Sequence, residues 1–220
     1  MNTGRFWVIE GPIGVGKTSL AKLLAQELSA RLVLEKVEEN PFLPRFYQDP
    51  KPHAFQTQTF FLLSRFRQQM ALLQPDLFHQ ITVTDYFFPK DRIFAKITLD
   101  NDEWALYEQI YELLGVRVPV PDLVIFLQAE TEVLVERIRE RGRAYEKEIG
   151  RDYLQRLNEA YNEFFFHYTG SPLLVIRTSE IDFVKNREDL SDLIRQIQQA
   201  RKGTQYYVPM AHRSPEGGTR

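Results

Sequence analysis

The 220-residue chain is 43% hydrophobic and 26% charged, with a net charge of −2. That balance fits a globular protein with a sizeable core and gives no general attraction to nucleic acid or an anionic membrane. With no cysteine and four scattered histidines, disulfides, thiolate metal sites and a cysteine nucleophile are excluded and a metal cluster is not expected.

Short apolar runs alternate with longer amphipathic ones, the pattern of an α/β protein with a parallel sheet. Strands are expected at 5–10, 32–37, 81–84, 123–127 and 173–177, and helices at 17–30, 54–73, 102–114, 130–140, 151–168 and 187–202. No uncharged stretch reaches the roughly 18 residues that a membrane-spanning helix needs. The first strand enters a glycine loop rather than a signal-peptide pattern, so a cytoplasmic protein is expected. Residues 1–202 read as one domain. The segment 203–220, GTQYYVPMAHRSPEGGTR, lacks a period and reads as a disordered tail.

The strongest signal follows the first strand. Gly11, Gly16, Lys17 and Thr18 match GxxxxGKT, with an apolar strand before and an amphipathic helix after. Such a loop lets backbone N–H groups wrap phosphates while the helix N-terminus faces them. The loop would comprise Gly11, Pro12, Ile13, Gly14, Val15, Gly16, Lys17, Thr18 and Ser19. Lys17 would reach the β- and γ-phosphates of ATP, and the Thr18 hydroxyl would ligate Mg²⁺. The NKxD and DxxG motifs of GTP switches are missing, as is the apolar run with paired acids of motor ATPases, so a small-molecule kinase is favoured.

Three further groups of residues suggest an acceptor side. Glu35 follows the apolar run Leu32–Leu34 of the second strand, at the sheet edge where α/β proteins bind ligands, and could accept the proton of an attacking hydroxyl. Read by itself it is equally an exposed loop acid. Gln58, Phe61, Leu62 and Arg65 share one helical face, offering an amide, a ring and a guanidinium; read blandly, the apolar pair is core and Arg65 a surface charge. The stretch RIRERGRAYEKE brings Arg137, Arg139, Arg141, Arg143 and Lys147 together, either as a solvated helix end or as a lid that stabilises transferring charge.

Taken together these segments resemble the deoxynucleoside kinase family, in its bacterial deoxyadenosine/deoxyguanosine kinase branch, over roughly residues 6–193. The resemblance implies a P-loop kinase fold: an α/β domain with a parallel five-stranded sheet in the order 2-3-1-4-5, flanked by helices, with an arginine-rich lid and a homodimer through the long helices. It implies that Glu35, in EKV where the family has EPV, is the general base. Tyr47 and Glu146 would hold the sugar 3′-hydroxyl, and Gln58 and Arg65 would read the base. Arg137, Asp182 and Phe183 would surround the ATP adenine, while Arg141 and Arg143 face the phosphates.

One departure stands out. The family's DRS or ERS after the third strand is TDYFFPKDRIFA here. Asp85 keeps the acid that organises Mg²⁺, but Tyr86 replaces the arginine, leaving the lid, Lys90 or Arg92 to supply that charge. One register places Asp91 at the base-contacting acid position and a register shifted by one places Lys90 there. Asp91 is preferred because it could pair with Arg65. The implied reaction transfers a phosphoryl group from ATP to the 5′-hydroxyl of a deoxynucleoside, a purine or deoxycytidine. The alternatives are a thymidylate-kinase-like monophosphate kinase and a weakly hydrolysing nucleotide-binding regulator.

Overall fold

The computed structural model describes residues 4–209 apart from Pro75, Leu77, Ala144, Tyr145 and Lys147. Lys147 of the basic stretch and residues 210–220 of the expected tail therefore lie outside the described residues.

Six strands form one parallel sheet: β1 (Arg5–Glu10), β2 (Arg31–Val33), β3 (Ile81–Thr84), β4 (Leu123–Gln128), β5 (Leu173–Arg177) and β6 (Thr204–Tyr207). Their spatial order is β2-β3-β1-β4-β5-β6. The expected five-strand order is thus present with one strand added at its edge. Thr204–Tyr207 pairs with β5 from Leu173↔Thr204 to Ile176↔Tyr207, which corrects the reading of this stretch as tail. TQYY is rich in β-branched and aromatic residues, and Tyr207 is anchored by its hydroxyl on Asp192.

The helices are α1 (Lys17–Glu27), α2 (Leu43–Gln48), α3 (Ala54–Leu72), α4 (Lys90–Thr98), α5 (Asn101–Gly115), α6 (Thr131–Arg141), α7 (Arg151–Phe166) and α8 (Arg187–Gln198). Helices α2 and α4 are additional to the expected set. Both begin beside proline, Pro44 within the first turn and Pro89 at the N-cap, where its fixed φ suits a helix start. The α5 start carries a capping box. The Asp100 carboxylate accepts from the N–H groups of Asp102 and Glu103, and Glu103 accepts in return from Asp100 N–H, an arrangement that contributes about 1 kcal/mol.

Strand alternation builds two core layers. Trp7, Ile9, Ile125 and Leu127 face α1 and α8, joining Leu20, Leu24 and Leu193. Val8, Val124 and Phe126 face the other way, against Phe87, Leu157, Tyr161 and Phe165. Each fully buried side chain of this kind stabilises the fold by about 1.5–3 kcal/mol. Smaller clusters lock α2 onto α3 through Leu43, Phe46 and Phe61, and α3 onto α4 and α5 through Leu62, Ala95 and Tyr107.

This topology decides where ligands can go. The chain leaves β1 for β2 on one side, and β4 pairs with β1 on the other, so the crevice opens beyond the carboxyl end of β1. The glycine loop, Glu35, Asp85 and residues 179–183 follow β1, β2, β3 and β5 respectively, and the arginine stretch begins in the last turns of α6 and runs past its end. The glycine loop, Glu35, Asp85 and residues 179–183 therefore leave the sheet at one edge, while the other candidate residues come from α2, α3, α4 and α6 with the segment after it.

Candidate active site

Two cavities meet at that edge. The first, of 440 Å³, is lined by Lys17, Glu35, Gln58, Arg65, Asp85 and Lys90 among others. The second, of 360 Å³, lies against Arg137, Asp182 and Phe183. Gly14, Gly16, Ser19 and Arg141 line both. The glycine loop is thus the partition between the two spaces.

The loop itself is tightly built. Gly16 has φ 106°, in the left-handed region, and a Cβ there would come within 2.9 Å of the Phe183 ring, so both backbone and packing require glycine. Lys17 Nζ donates to the carbonyls of Gly11 at 2.6 Å and Pro12 at 3.1 Å. Burial lowers its pKa to about 8, although Glu10 opposes the shift. The Thr18 hydroxyl donates to Asp85 Oδ2 at 2.5 Å, and Asp85 Oδ1 accepts from Glu35 N–H at 2.7 Å. One carboxylate therefore ties the loop to the segment after β2.

Around Glu35 the charges alternate. Its Oε1 accepts from Arg65 Nε at 2.8 Å and also from Arg65 Nη2, while Oε2 accepts from Lys90 Nζ at 2.7 Å. Arg65 in turn forms an ion pair with Asp91 and lies over the Phe61 ring, 4.4 Å from its centroid. Burial works against the charge on Glu35, but Arg65 and Lys90 outweigh it and hold the pKa at about 2. The carboxylate is ionised at neutral pH and fixed from two sides.

Glu10, which was not among the sequence-selected residues, anchors this arrangement. Its side chain is fully buried because alternation along β1 puts it on the Val8 face, toward α4 and α7. It accepts from the N–H groups of Gly11 and Phe87, and from the Tyr161 hydroxyl. Lys90 Nζ lies 3.7 Å away and Lys17 Nζ 3.9 Å. Burial raises the Glu10 pKa even so. An acid ending a buried strand beside a phosphate-binding loop was the signal for it.

Tyr47, Gln58 and Glu146 line the first cavity with these groups. Gln58 is buried, and Tyr47 packs on Phe46 with ring centroids 5.5 Å apart. Glu146 is buried too and accepts two hydrogen bonds from Arg141, at 3.0 and 2.7 Å, with Arg143 Nη1 3.7 Å away. The left-handed Gly142, φ 68°, ends α6 and turns the chain toward them. Arg137 does not project freely. Its guanidinium donates to Val15 O, Thr178 Oγ1, Thr178 O and Ile181 O, tying the glycine loop to the segment after β5. Asp182 holds that segment by accepting from the N–H groups of Val184 and Lys185.

Of the residues expected to supply the charge missing at Tyr86, Lys90, Arg141 and Arg143 line the first cavity. Arg92 is half-exposed and paired with Glu108, away from the cavity lining, and Tyr86 is buried. Lys90 is inside. Asp91 pairs with Arg65 but is fully buried and does not line the cavity. Of the two residues of the ambiguous register, Lys90 therefore lies in the site and Asp91 sits behind Arg65, which corrects the expectation that Asp91 contacts the base directly.

Thr18 Oγ1 and Asp85 Oδ2 offer a hydroxyl and a carboxylate side by side. Magnesium uses such hard oxygens, together with phosphate and water rather than a full protein cage, so the pair fits Mg²⁺. Among the described residues no cluster of three or more His, Cys, Asp or Glu could hold a metal alone. No helix among them is long and apolar enough to cross a membrane.

Comparison with known proteins agrees with this geometry. The family model described as deoxynucleoside kinase matches residues 7–201. The chain is 36% identical to the deoxyguanosine kinase of Bacillus subtilis (strain 168) over 208 residues, covering 90% of this chain and 99% of that protein. It is 30% identical to the deoxyadenosine kinase of Lactobacillus acidophilus over 204 residues, covering 86% and 93%. The solved structure of deoxyadenosine kinase from M. mycoides with bound dATP superposes with a TM-score of 0.76 at 25% identity, covering 88% of this chain and 99% of that one. These matches set aside the monophosphate-kinase and regulator alternatives. The chain belongs to the deoxynucleoside kinase family, transferases that phosphorylate deoxynucleosides with ATP.

Proposed function

We propose that the protein transfers the γ-phosphoryl group of ATP to the 5′-hydroxyl of a purine deoxynucleoside or deoxycytidine, in the cytoplasm, with Mg²⁺ held by Thr18 and Asp85. The observation that carries this reading is the partition of two cavities by the phosphate loop, with an ionised, doubly braced carboxylate on the acceptor side only. When bound, the metal would neutralise phosphate charge and help orient the transferring group.

The acceptor nucleoside occupies the first cavity, its base toward Gln58 and Arg65, which the buried Asp91 holds from behind, and its sugar toward Tyr47 and Glu146. Glu35 orients the 5′-hydroxyl and takes its proton. A carboxylate with a pKa of about 2 is a weak base; if the incoming hydroxyl displaces one of its cationic donors, its basicity rises. The phosphoryl donor lies across the loop with its adenine by Arg137, Asp182 and Phe183. Lys17, Arg141 and Arg143 stabilise charge on the transferring group.

Arg143 is more than a third exposed, so Arg143→Ala should change stability by no more than about 0.5 kcal/mol, as at other surface positions, while slowing transfer. Thermal unfolding beside turnover checks this, and parallel losses would make the residue structural. Arg141→Ala differs, since it takes the bidentate partner from the buried Glu146 carboxylate.

Base choice follows from Arg65. The Asp91 pair fixes its guanidinium as a donor, and sites built on a specific polar pairing reject ligands that leave it unmet. Thymidine should be the poorest of the four deoxynucleosides, measured as a ratio of kcat/KM values. Arg65→Met with Asp91→Ala should narrow that ratio. Because Arg65 also braces Glu35, the double variant should lose turnover on every substrate as well. A wild type that prefers thymidine contradicts the role given to Arg65 and Asp91.

We further infer a homodimer. Leu63 on α3 and Leu106 and Leu113 on α5 are exposed, and a second copy packing on these helices would cover them. Light scattering should give twice the chain mass.

A further inference from the structure

Lys90 occupies a position that helix and burial energetics both disfavour. It is the first residue of α4, where the positive end of the helix repels a cation, and its side chain is only 3% exposed. A buried ammonium persists only where anions compensate. Two do so here: Glu35 Oε2 accepts its hydrogen bond at 2.7 Å, and Glu10 Oε2 lies 3.7 Å away. Glu10 is fixed by the first residue of the phosphate loop, by Phe87 N–H and by Tyr161. The ammonium thus joins a carboxylate locked to the phosphate loop with the carboxylate on the acceptor side.

The other charges near Glu35 cannot make that link. Arg65 approaches Oε1 from α3 and is held by the buried Asp91. Lys17 is engaged with Gly11, Pro12 and Glu10. Asp85 meets Glu35 through its backbone N–H and adds negative charge. The cation beside Oε2 is Lys90.

We propose that Lys90 is a positioning residue for transfer, holding Glu35 Oε2 in register with the phosphate loop so that the acceptor hydroxyl is aligned with the donor. This deepens the functional reading above and rests on Glu35 acting on the acceptor hydroxyl. An ammonium has three hydrogens on a flexible stem, so it can keep Glu35 and Glu10 while the hydroxyl approaches. Alignment of reacting atoms raises turnover without needing to tighten ground-state binding.

The test is Lys90→Met, which keeps the length of the stem and removes the charge. Turnover should fall about 10²-fold, the scale for losing one preorganised charged donor. Deoxynucleoside affinity, measured by calorimetry without ATP, should stay within about threefold, since the residue acts mainly beyond ground-state binding. Removing the cation leaves Glu10 and Glu35 facing each other, so Glu10→Gln with Lys90→Met is measured in parallel to relieve that repulsion if the single variant folds poorly. The same split between turnover and affinity in whichever variant is folded supports the proposal. Turnover near wild type, or affinity falling as far as turnover, overturns it. Wild-type enzyme in the same assay separates the two levels: if it phosphorylates no deoxynucleoside, the functional reading itself fails, whereas an active wild type with an unaffected Lys90→Met fails the Lys90 role alone.

Discussion

Lys17→Ala is expected to lower turnover by about 10²–10³-fold, the range for loss of one preorganised electrostatic donor, while deoxynucleoside affinity changes little. The ammonium is held by two loop carbonyls at 2.6 and 3.1 Å and lines the first cavity beside Glu35. In the proposed mechanism it acts on the charge that builds up during transfer, whereas Gln58 and Arg65 on α3 read the base. Alanine also takes one cation from the vicinity of the buried Glu10 carboxylate, but Lys90, two backbone N–H groups and Tyr161 remain to support it. Turnover by ADP release and nucleoside affinity by calorimetry check the prediction. Wild-type turnover in the variant removes Lys17 from the phosphate-binding role.

The second large effect is expected at Glu35. Glu35→Gln keeps size and one acceptor oxygen but removes the proton acceptor and the charge. Turnover should fall by about 10²-fold or more, the usual contribution of a general base. The structure adds a consequence. Arg65 and Lys90 grip opposite oxygens of this carboxylate, and a glutamine can present oxygen to only one of them. The other cation then faces an N–H₂ group, and such a mismatch at a buried site costs about 1–3 kcal/mol. Turnover must therefore be normalised to folded protein. A change confined to the Michaelis constant makes Glu35 a binding residue and removes it from proton transfer.

Local chemistry was legible in the sequence, and long-range partnership was not. GPIGVGKT announces itself through spacing between adjacent residues, and the five strand–helix units follow from periodicity. The partnership of Arg65 with Asp91 was within reach because the family resemblance puts both at base-reading positions. Its second partnership, with Glu35, was not, since it depends on how α3 packs over the end of β2. Glu10 looked like the last residue of an ordinary strand. Only alternation traced to its end, with Val8 and Glu10 on one face, marks it as a buried acid. Lys90 sits in FFPKDR, which reads as a loop until Pro89 is taken as a helix start. The short helix α2 lies among Asn40, Pro41 and Pro44, breakers that conceal a single turn and a half. The edge strand β6 was missed because four residues with a glycine before and a proline after resemble a tail more than an element.

The most direct test of the account is ADP release measured with each of the four deoxynucleosides and with none, with the phosphorylated product identified by mass and phosphorus NMR. Release should be negligible alone, should rise with a purine deoxynucleoside or deoxycytidine, and should match one for one the deoxynucleoside 5′-monophosphate formed. ADP released equally without a nucleoside, or phosphate appearing on an acceptor other than the 5′-hydroxyl, contradicts it.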